Sequence, residues 1–472
     1  MNSSIDSAVL RLRELGIDVV SSGDALFNCS LDHTRYSVLP KAVVFASCIE
    51  DVQNIVKIAN EFDVGLTVRG SGTGCAGGAV PIDCGIVLDV SRINSIEIDA
   101  YSRMAKVGAG AITADIDAKA NEFGLFYAPD PSSHKFCSIG GNIACNAGGL
   151  RALKYGTTRD NVVSLKVVSG SGEIINCALP LKKYSVGFNL RDLFIGSEGQ
   201  LGIVVEAFLR LLPIPETKKT LVAFFNDDLE AFAGVGKLMR SSLEPCVLEF
   251  MDSDTVACVR EKKPHLQLPS GKSVLLIEFD GTVADVDESV EKCSVLFENV
   301  RVAESEDERQ GLWEIRRSAS SAMYKLADTK INQDIVLPLS ELSSFFEYYK
   351  ALGQKFGLPS PVFGHSGDGN YHIHFMYNAS DCIGKRNAEK AMDLSIKKAI
   401  ELGGAVSGEH GIGFLKSKYM SLQHSSIELE YMRKIKEQFD PKKILNRGKV
   451  LECFDIPENL APLKNVKLAW DK

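Results

Sequence analysis

The pattern of hydrophobic and polar positions in the first half of the chain alternates between two periods. Short continuous runs of apolar, mostly β-branched residues predict buried strands, and apolar residues that recur every three or four positions predict helices. The alternation predicts an α+β or α/β unit from about residue 43 to residue 212. Helices are predicted at 49–62 and 112–121. Strands are predicted at 66–68, 86–90, 105–107, 162–168 and 203–212.

This unit ends at the sequence LPIP, residues 212–215, because proline cannot continue a strand ladder. A second mixed region follows, and the last part of the chain is mainly helical. A chain of 472 residues is also too long for a single hydrophobic core. The predicted segments are a helical N-terminal segment at 1–40, a first domain at 41–215, a second domain at 216–425, and a C-terminal segment at 426–472 that packs on the first domain.

The composition is typical of a globular protein, with 45% hydrophobic and 24% charged residues. The formal net charge of −8 offers no basic field to a nucleic-acid backbone, so nucleic-acid binding is not expected. No apolar run reaches the roughly 18 to 20 residues of a membrane-spanning helix, and no signal-peptide pattern opens the chain. The 12 cysteines are scattered, which argues against a CxxC zinc site or an iron–sulfur centre. We expect a cytoplasmic protein with reduced cysteines.

Glycines are concentrated in three segments, and the densest follows a predicted strand. Gly72, Gly74 and Gly77 match the GxGxxG spacing of a dinucleotide-binding turn. That fingerprint requires a helix to start at the third glycine, and the sequence GAVP at 78–81 cannot open a long helix. A different use is favoured, in which successive backbone N–H groups converge on a pyrophosphate and Arg69 adds positive charge at the entrance. The alternative is a loop that is simply mobile.

The second glycine-rich segment covers residues 138–149 and the third covers 195–203. Each segment alone would be interpreted as a turn. Three such segments in one domain indicate that the backbone approaches one large ligand at several points, which favours a nucleotide cofactor.

In this order the three segments resemble the FAD domain of the vanillyl-alcohol-oxidase or p-cresol-methylhydroxylase (PCMH) type. The resemblance implies an α+β fold: a two-part PCMH-type FAD-binding domain, a mixed α/β cap domain for the substrate, and a C-terminal return to the FAD domain. Some relatives attach FAD through a histidine near the first loop. No histidine lies between His33 and His134, so we predict non-covalent FAD. The implied FAD-binding residues are Arg69, Gly70, Ser71, Gly72, Thr73, Gly74, Pro129, Ser138, Gly141, Asn142, Asn146, Gly148, Glu198, Gly202, Ile203 and Asn446.

Histidines are concentrated in the second half, where four of the eight fall between His365 and His410. The sequence GHSGDGNYHIHF at 364–375 has turn residues in its middle and then alternates as a strand, which places His372 and His374 on one face. A histidine before a tight glycine turn and another after it can converge on one metal ion.

A carboxylate would complete an open three-ligand metal site, and Glu409 in the sequence SGEHGIG is the candidate. A lone histidine is more often a hydrogen-bonded residue of the core, and this is the favoured interpretation of His374. Two histidines around a glycine turn, together with a Glu-His pair between glycines, favour a metal or catalytic role instead. The residues of that role are His365, His372, Glu409 and His410.

These motifs are similar to the GHxGDGNxH and GEHGIG patterns of the FAD-linked D-2-hydroxy-acid dehydrogenases, over roughly residues 40–450. That family includes D-lactate dehydrogenases, the glycolate-oxidase flavin subunit and D-2-hydroxyglutarate dehydrogenase. The resemblance implies that His365, His372 and Glu409 bind a divalent metal, with zinc favoured over manganese, iron or cobalt. It also implies that His410 is the general base and that Arg316 binds the substrate carboxylate.

One position departs from the hydroxyglutarate enzymes. Where they carry a lysine for the distal carboxylate, this sequence has Asn332, with Lys330 two residues away. A monocarboxylate such as D-lactate or glycolate is therefore favoured, and D-2-hydroxyglutarate is the alternative substrate.

The predicted reaction is the oxidation of a small D-2-hydroxy acid to its 2-oxo acid. The metal lowers the pKa of the substrate hydroxyl, His410 accepts its proton, and the C2 hydride passes to flavin N5. The sequence has no iron–sulfur or haem motif, so the electrons are expected to pass to a separate acceptor: an iron–sulfur subunit, electron-transferring flavoprotein, a cytochrome or quinone. A homodimer or a subunit of a complex is compatible with the sequence, and any membrane association is expected to go through a partner.

Three other functions compete with this prediction. A flavin-dependent alkyl transferase would keep the fold without net substrate oxidation. A non-catalytic flavin subunit of a larger oxidase would have little use for both histidine motifs. A zinc hydrolase would leave the three glycine-rich segments unexplained.

Overall fold

The computed structural model describes residues 2–457, 460–463, 466 and 468. Their contacts divide the chain into two compact units. Unit 1 comprises Met1–Gly149, Gly156–Ile214 and Glu409–Lys472, and unit 2 comprises Leu150–Tyr155 and Pro215–Gly408. The contacts divide the chain after Gly408, whereas the predicted boundary lies after residue 425, and the four predicted segments remain a proposal about domain organisation.

The strands are numbered along the chain. They are β1 (Asp18–Val20), β2 (Ala42–Phe45), β3 (Leu66–Arg69), β4 (Ile86–Asp89), β5 (Ile96–Asp99), β6 (Met104–Gly108), β7 (Leu125–Phe126), β8 (Val162–Ser169), β9 (Ile174–Asn176), β10 (Gly202–Arg210), β11 (Leu212–Pro213), β12 (Thr217–Phe225), β13 (Val247–Met251), β14 (Ser273–Gly281), β15 (Val300–Val302), β16 (Thr329–Val336), β17 (Val362–His365) and β18 (Asn370–Tyr377).

The α-helices follow the same numbering. They are α1 (Asn2–Glu14), α2 (Asp24–Asn28), α3 (Ile49–Glu61), α4 (Thr113–Asn121), α5 (Ile139–Cys145), α6 (Ala152–Tyr155), α7 (Thr158–Asn161), α8 (Arg191–Phe194), α9 (Asp228–Met239), α10 (Ser253–Lys262), α11 (Val283–Leu296), α12 (Glu306–Ala322), α13 (Leu342–Phe356), α14 (Cys382–Glu401), α15 (Met420–Gln423) and α16 (Ser426–Phe439). Among the described residues, none of these helices is both long and apolar enough to span a lipid bilayer.

Unit 1 contains a small mixed sheet and a larger antiparallel one. The first has the order β1-β2-β4-β3, with β4 parallel to both β2 and β3. Helix α3 begins where the Asp51 carboxylate accepts the backbone N–H groups of Ser47 and Cys48, and its buried face joins the core of the unit. The second sheet has the order β5-β6-β10-β8-β9 and is antiparallel throughout.

The mixed α+β fold class is confirmed, and the largest differences from the predicted elements concern pairing. The strand predicted at 203–212 is divided into β10 and β11, because β11 leaves the sheet of β10 and pairs with β7. The segment 1–40, predicted to be helical, also contributes β1, which pairs antiparallel with β2. A strand of three residues is too short to show an alternating pattern.

Unit 2 is built on one seven-stranded antiparallel sheet with the order β15-β12-β14-β13-β17-β18-β16. In β18 the side chains alternate as predicted. Tyr371 and Phe375 pack among the aromatic rings of α13, with Tyr371 4.9 Å from Phe346 and Phe375 4.9 Å from Tyr349, measured between ring centroids. The opposite face of the strand carries His372 and His374, followed by the buried Met376, which belongs to a second hydrophobic cluster.

Candidate functional site

A cavity of about 360 Å³ lies in unit 1 beyond the end of β3, and we call it the glycine-loop cavity. It brings together parts of all three glycine-rich segments with Glu409 and His410. The predicted FAD residues in its lining are Gly70, Ser71, Gly72, Thr73, Gly74, Ser138, Gly141, Asn142 and Glu198.

The loop at the end of β3 lies directly against the start of α5. A Cβ atom on Gly70 would overlap the hydroxyl oxygen of Ser138, so the missing side chain at Gly70 leaves room for this hydroxyl. The Ser138 Oγ atom is buried and, among the described residues, has no hydrogen-bond partner. Buried polar groups are almost always satisfied, so this orphaned hydroxyl in the cavity wall fits a polar ligand such as a cofactor phosphate or ring atom.

The side chain of Arg69 is held inside the unit, next to the glycine-rich loop. Its guanidinium donates to the backbone carbonyls of Leu31 (2.8 Å) and Asn28 (3.0 Å), and the residue is only 6% exposed. Two carbonyl acceptors inside the unit offer a buried guanidinium better partners than an open loop entrance. A Cβ atom on Gly72 would overlap the same guanidinium, so the charge of Arg69 lies directly against the glycine-rich loop while its hydrogen bonds anchor the preceding segment to β3. Its role toward the cofactor stays a prediction.

The other predicted FAD residues lie outside the lining of the cavity. They are Pro129, Asn146, Gly148, Gly202, Ile203 and Asn446. The side-chain amide of Asn446 donates to the Glu198 carbonyl (2.9 Å), and its oxygen accepts from the backbone of Val68 (3.3 Å). Asn146 similarly accepts from the Arg159 backbone at 2.9 Å. These two amides hold together the segments that form the cavity.

The turn after His410 is held by the carboxylate of Glu198. Its two oxygens accept the backbone N–H groups of Ile412 (2.7 Å) and Gly413 (2.8 Å). Burial raises the pKa of Glu198, against the opposing effect of these two hydrogen bonds. Glu198 is one of the predicted FAD-binding residues, and its carboxylate also positions the loop that carries Glu409 and His410.

One histidine of the cavity wall was missed. His33 lines the glycine-loop cavity, and its backbone N–H donates to the Gly74 carbonyl at 3.2 Å. The argument for non-covalent FAD depended on the distance of histidines from this loop along the sequence. The structure brings a remote histidine to the loop, so the mode of attachment remains a prediction that needs a direct test.

In unit 2, β17, β18 and the turn between them place His365 and His372 side by side. Phe363 pairs with His372 in the strand register, and His365 is two residues farther along the same face. The two imidazole rings lie 5.4 Å apart at an angle of 85°, and the nitrogens that could act as ligands lie within 4.8 Å of each other. Two imidazole nitrogens this close together can bind one metal ion, and imidazole ligands suit zinc and the other first-row transition metals.

A buried carboxylate next to these rings was not predicted. Glu249 lies on β13 opposite His365 in the register, and its two oxygens contact His365 Nδ1 and Arg316 Nε. Burial alone would raise the pKa of Glu249, but the charges and hydrogen bonds of His365 and Arg316 outweigh it and lower the pKa to about 2. The Arg316 guanidinium also stacks on Phe363, 4.4 Å from the ring centroid. We call the set of Glu249, Arg316, Phe363, His365 and His372 the histidine face.

The residues farther along the same face of β18 and on the neighbouring β16 are less suited to carrying a charge. His374 is 1% exposed, and burial holds its pKa well below the ordinary value, as suits a neutral core histidine. Its register partner on β16 is the neutral Asn332. Burial lowers the pKa of Lys330 to about 8, and its amine donates to Ser320 at 2.8 Å.

The last residues of unit 2 are tied to the same strand pair. Asp334 pairs with His372 in the register and is fully buried. Its carboxylate accepts the Gly408 backbone N–H (2.8 Å) and the Ser407 hydroxyl. This fixes the chain immediately before Glu409.

Comparisons with known proteins agree with the motifs. The family described as "FAD linked oxidases, C-terminal domain" matches residues 214–450, and the family described as "FAD binding domain" matches residues 40–178. The chain is 40% identical to the glycolate oxidase subunit GlcD of Bacillus subtilis, over 88% of this chain and 90% of that protein. It is 33% identical to a D-lactate dehydrogenase of Anaerostipes hadrus, over 96% of this chain and 99% of that protein.

A crystal structure of p-cresol methylhydroxylase with substrate bound has the same fold. It superposes with a TM-score of 0.78 at 18% identity, covering 96% of this chain and 98% of that one. The PCMH-type fold predicted from the glycine-rich segments is thereby confirmed. The chain belongs to the FAD-linked oxidase family that contains glycolate oxidase flavin subunits and D-lactate dehydrogenases, and it is an FAD-linked oxidoreductase.

Proposed function

We propose that the chain oxidises a small D-2-hydroxy acid, with D-lactate or glycolate favoured, to the 2-oxo acid with FAD and a divalent metal. The observation that carries this proposal is the histidine face, where two imidazoles in mutual reach lie beside an arginine stacked on Phe363. A 2-hydroxy acid presents a hydroxyl and a carboxylate on adjacent carbons. A metal held by imidazoles and a guanidinium are suited to these two groups.

The glycine-loop cavity is proposed to hold FAD without a covalent bond. The partnerless Ser138 hydroxyl and the close approach of Gly70 to it support this role. Ser71 and Thr73 on the same loop offer further polar groups to the cofactor. When bound, FAD supplies the acceptor for the hydride that leaves C2 of the substrate.

The metal is proposed to bind His365, His372 and Glu409. Asp334 lies opposite His372 and holds the Gly408 backbone, and Glu409 is the next residue of the chain, which supports its membership of the set. When bound, a divalent metal lowers the pKa of the substrate hydroxyl by Lewis acidity.

The remaining steps belong to side chains of this protein. Arg316 uses the guanidinium edge that Glu249 does not occupy to hold the substrate carboxylate. His410 accepts the hydroxyl proton, with its loop fixed by Glu198. The neutral Asn332 and the hydrogen bond of Lys330 to Ser320 favour a monocarboxylate over D-2-hydroxyglutarate.

The electrons are proposed to pass to a separate acceptor, since the sequence has no motif for a second redox centre. The relative from Bacillus subtilis is named as a subunit of glycolate oxidase, which supports this arrangement. The acceptor class predicted from the sequence, the cytoplasmic location and a homodimeric or complex-bound state remain proposals.

The experiment that tests this function is anaerobic flavin reduction in the purified holoenzyme. D-lactate, glycolate, L-lactate and D-2-hydroxyglutarate are added separately, and flavin absorbance is followed before and after treatment with EDTA. We expect D-lactate or glycolate to bleach the flavin, L-lactate to leave it oxidised, and EDTA to prevent bleaching until Zn²⁺ or Mn²⁺ is restored. A yellow protein that no hydroxy acid bleaches would overturn the proposal in favour of an alkyl transferase or a non-catalytic flavin subunit.

A further inference from the structure

Glu249 is the point at which two proposed functional groups of unit 2 meet. One carboxylate oxygen contacts Nδ1 of His365 and the other contacts Nε of Arg316. The Glu249 side chain is 0% exposed and that of Arg316 is 13% exposed. A charged carboxylate at such a place is costly unless both oxygens are satisfied, and here each has one positively polarised partner.

The contact with His365 determines which ring nitrogen can bind a metal. The Glu249 oxygen lies against Nδ1, so the neutral tautomer that fits this contact carries its proton on Nδ1. Nε2 then keeps its lone pair for a metal. Histidine ligands in metal sites commonly donate their other N–H to a carboxylate in this way, and the partner fixes both the tautomer and the ring orientation.

The contact with Arg316 determines which edge of the guanidinium remains available. Among the described residues, the hydrogen bond to Glu249 is made by Nε, and Phe363 covers one face of the group. The edge formed by Nη1 and Nη2 is left for a bidentate carboxylate.

We propose that Glu249 is a positioning residue that holds the metal ligand His365 and the substrate-binding Arg316 in one fixed arrangement. This inference rests on the proposed function. Because the same carboxylate fixes both groups, its removal is expected to weaken metal binding and substrate binding together, with little effect on FAD.

The test compares Glu249→Gln with the control Glu278→Gln in the FAD-loaded protein. Glu278 lies on the neighbouring strand β14 and also meets α12, through Trp313 Nε1 (2.8 Å) and Arg309 (3.3 Å). Its side chain is 7% exposed, and its partners among the described residues are Thr220, Arg309 and Trp313, none of them a histidine. The two substitutions remove the same buried charge beside an arginine of the same helix.

The measurements are the affinity for Mn²⁺ and Zn²⁺ by calorimetry after chelator treatment, KM for D-lactate, flavin content and thermal unfolding. We expect Glu249→Gln to weaken metal binding by about 10- to 100-fold and to raise KM, with unchanged flavin content. Glu278→Gln should leave metal affinity within about twofold of the wild type. If Glu249→Gln does not fold, Glu249→Asp keeps the charge but is too short to reach both partners, and the same loss of metal affinity is expected.

The possible results separate the two proposals. Equal metal affinities of the wild type and the Glu249 variant would overturn the positioning role alone. An equal loss in Glu278→Gln would also overturn it, because the effect would then be structural. A wild-type protein that binds neither metal would overturn the proposed function and this inference with it.

Discussion

Replacing Gly413 with alanine tests whether the turn after His410 packs directly on the backbone that lines the glycine-loop cavity. Gly413 has a φ angle of +52°, and a Cβ atom there would overlap the carbonyl oxygen of Ala76 and lie 2.5 Å from its carbon. The left-handed conformation costs alanine about 1–2 kcal/mol. Forced overpacking adds about 1–3 kcal/mol. We therefore expect Gly413→Ala to lower the free energy of unfolding by about 2–5 kcal/mol.

The control is Gly124→Ala, because Gly124 has a φ angle of +68° but no atom within 4 Å of the added carbon. It carries the conformational cost without the clash. Urea midpoints and the ratio of bound flavin to protein are measured for both variants of the holoenzyme. Gly413→Ala should have the lower midpoint and also lose flavin, since Ala76 lines the cavity. Equal midpoints and full flavin content in both variants would refute the argument.

Three further predictions follow from single groups. His410→Ala should slow anaerobic flavin reduction by about 10²- to 10⁴-fold at unchanged FAD content. The control His424→Ala changes a histidine outside the cavity lining and should leave the rate unchanged. A normal rate of flavin reduction in His410→Ala would exclude His410 as the base. Acid precipitation should release all flavin into the supernatant, whereas a yellow pellet would indicate a covalent bond and make His33 the first candidate. Burial lowers the pKa of Lys449 to about 8, below an unfolded value of ~10.4. Its charge therefore destabilises the folded protein below pH 8. The free energy of unfolding of the wild type should rise relative to that of Lys449→Met as the pH increases from 8 to 10. A difference in urea midpoint that stays constant over that range would contradict the assignment.

The features that the sequence predicted are those that depend on neighbouring residues. The strand that presents His372, the turn before it and helix α3 are each contained in one short window of the chain. Periodicity, turn residues and capping groups act within such a window, so the fold class could be recognised from them. Where an element depends on its pairing partner, as for β11 with β7, the pattern gave one strand instead of two.

The side-chain partners that were missed join residues far apart along the chain. Glu249 and His365 are 116 residues apart, and Arg69 and Leu31 are 38 residues apart. No local pattern indicates which distant acceptor a buried guanidinium will find. The sequence placed the charge of Arg69 at the neighbouring loop, and its guanidinium does lie against Gly72, but no local pattern indicated the carbonyls of Leu31 and Asn28 that bind it.

A lone glutamate in a buried strand does indicate that a partner exists, because an unpaired buried charge is too costly. It does not say which partner. Glu249 and Glu278 both stand in apolar strands, and both meet arginines of α12 that are two turns apart on one face of the helix. They differ because β13 lies next to β17, which carries His365, whereas β14 lies between β12 and β13. The distinction between a structural and a functional carboxylate is therefore set by the strand order of the sheet, and it became accessible only with the fold.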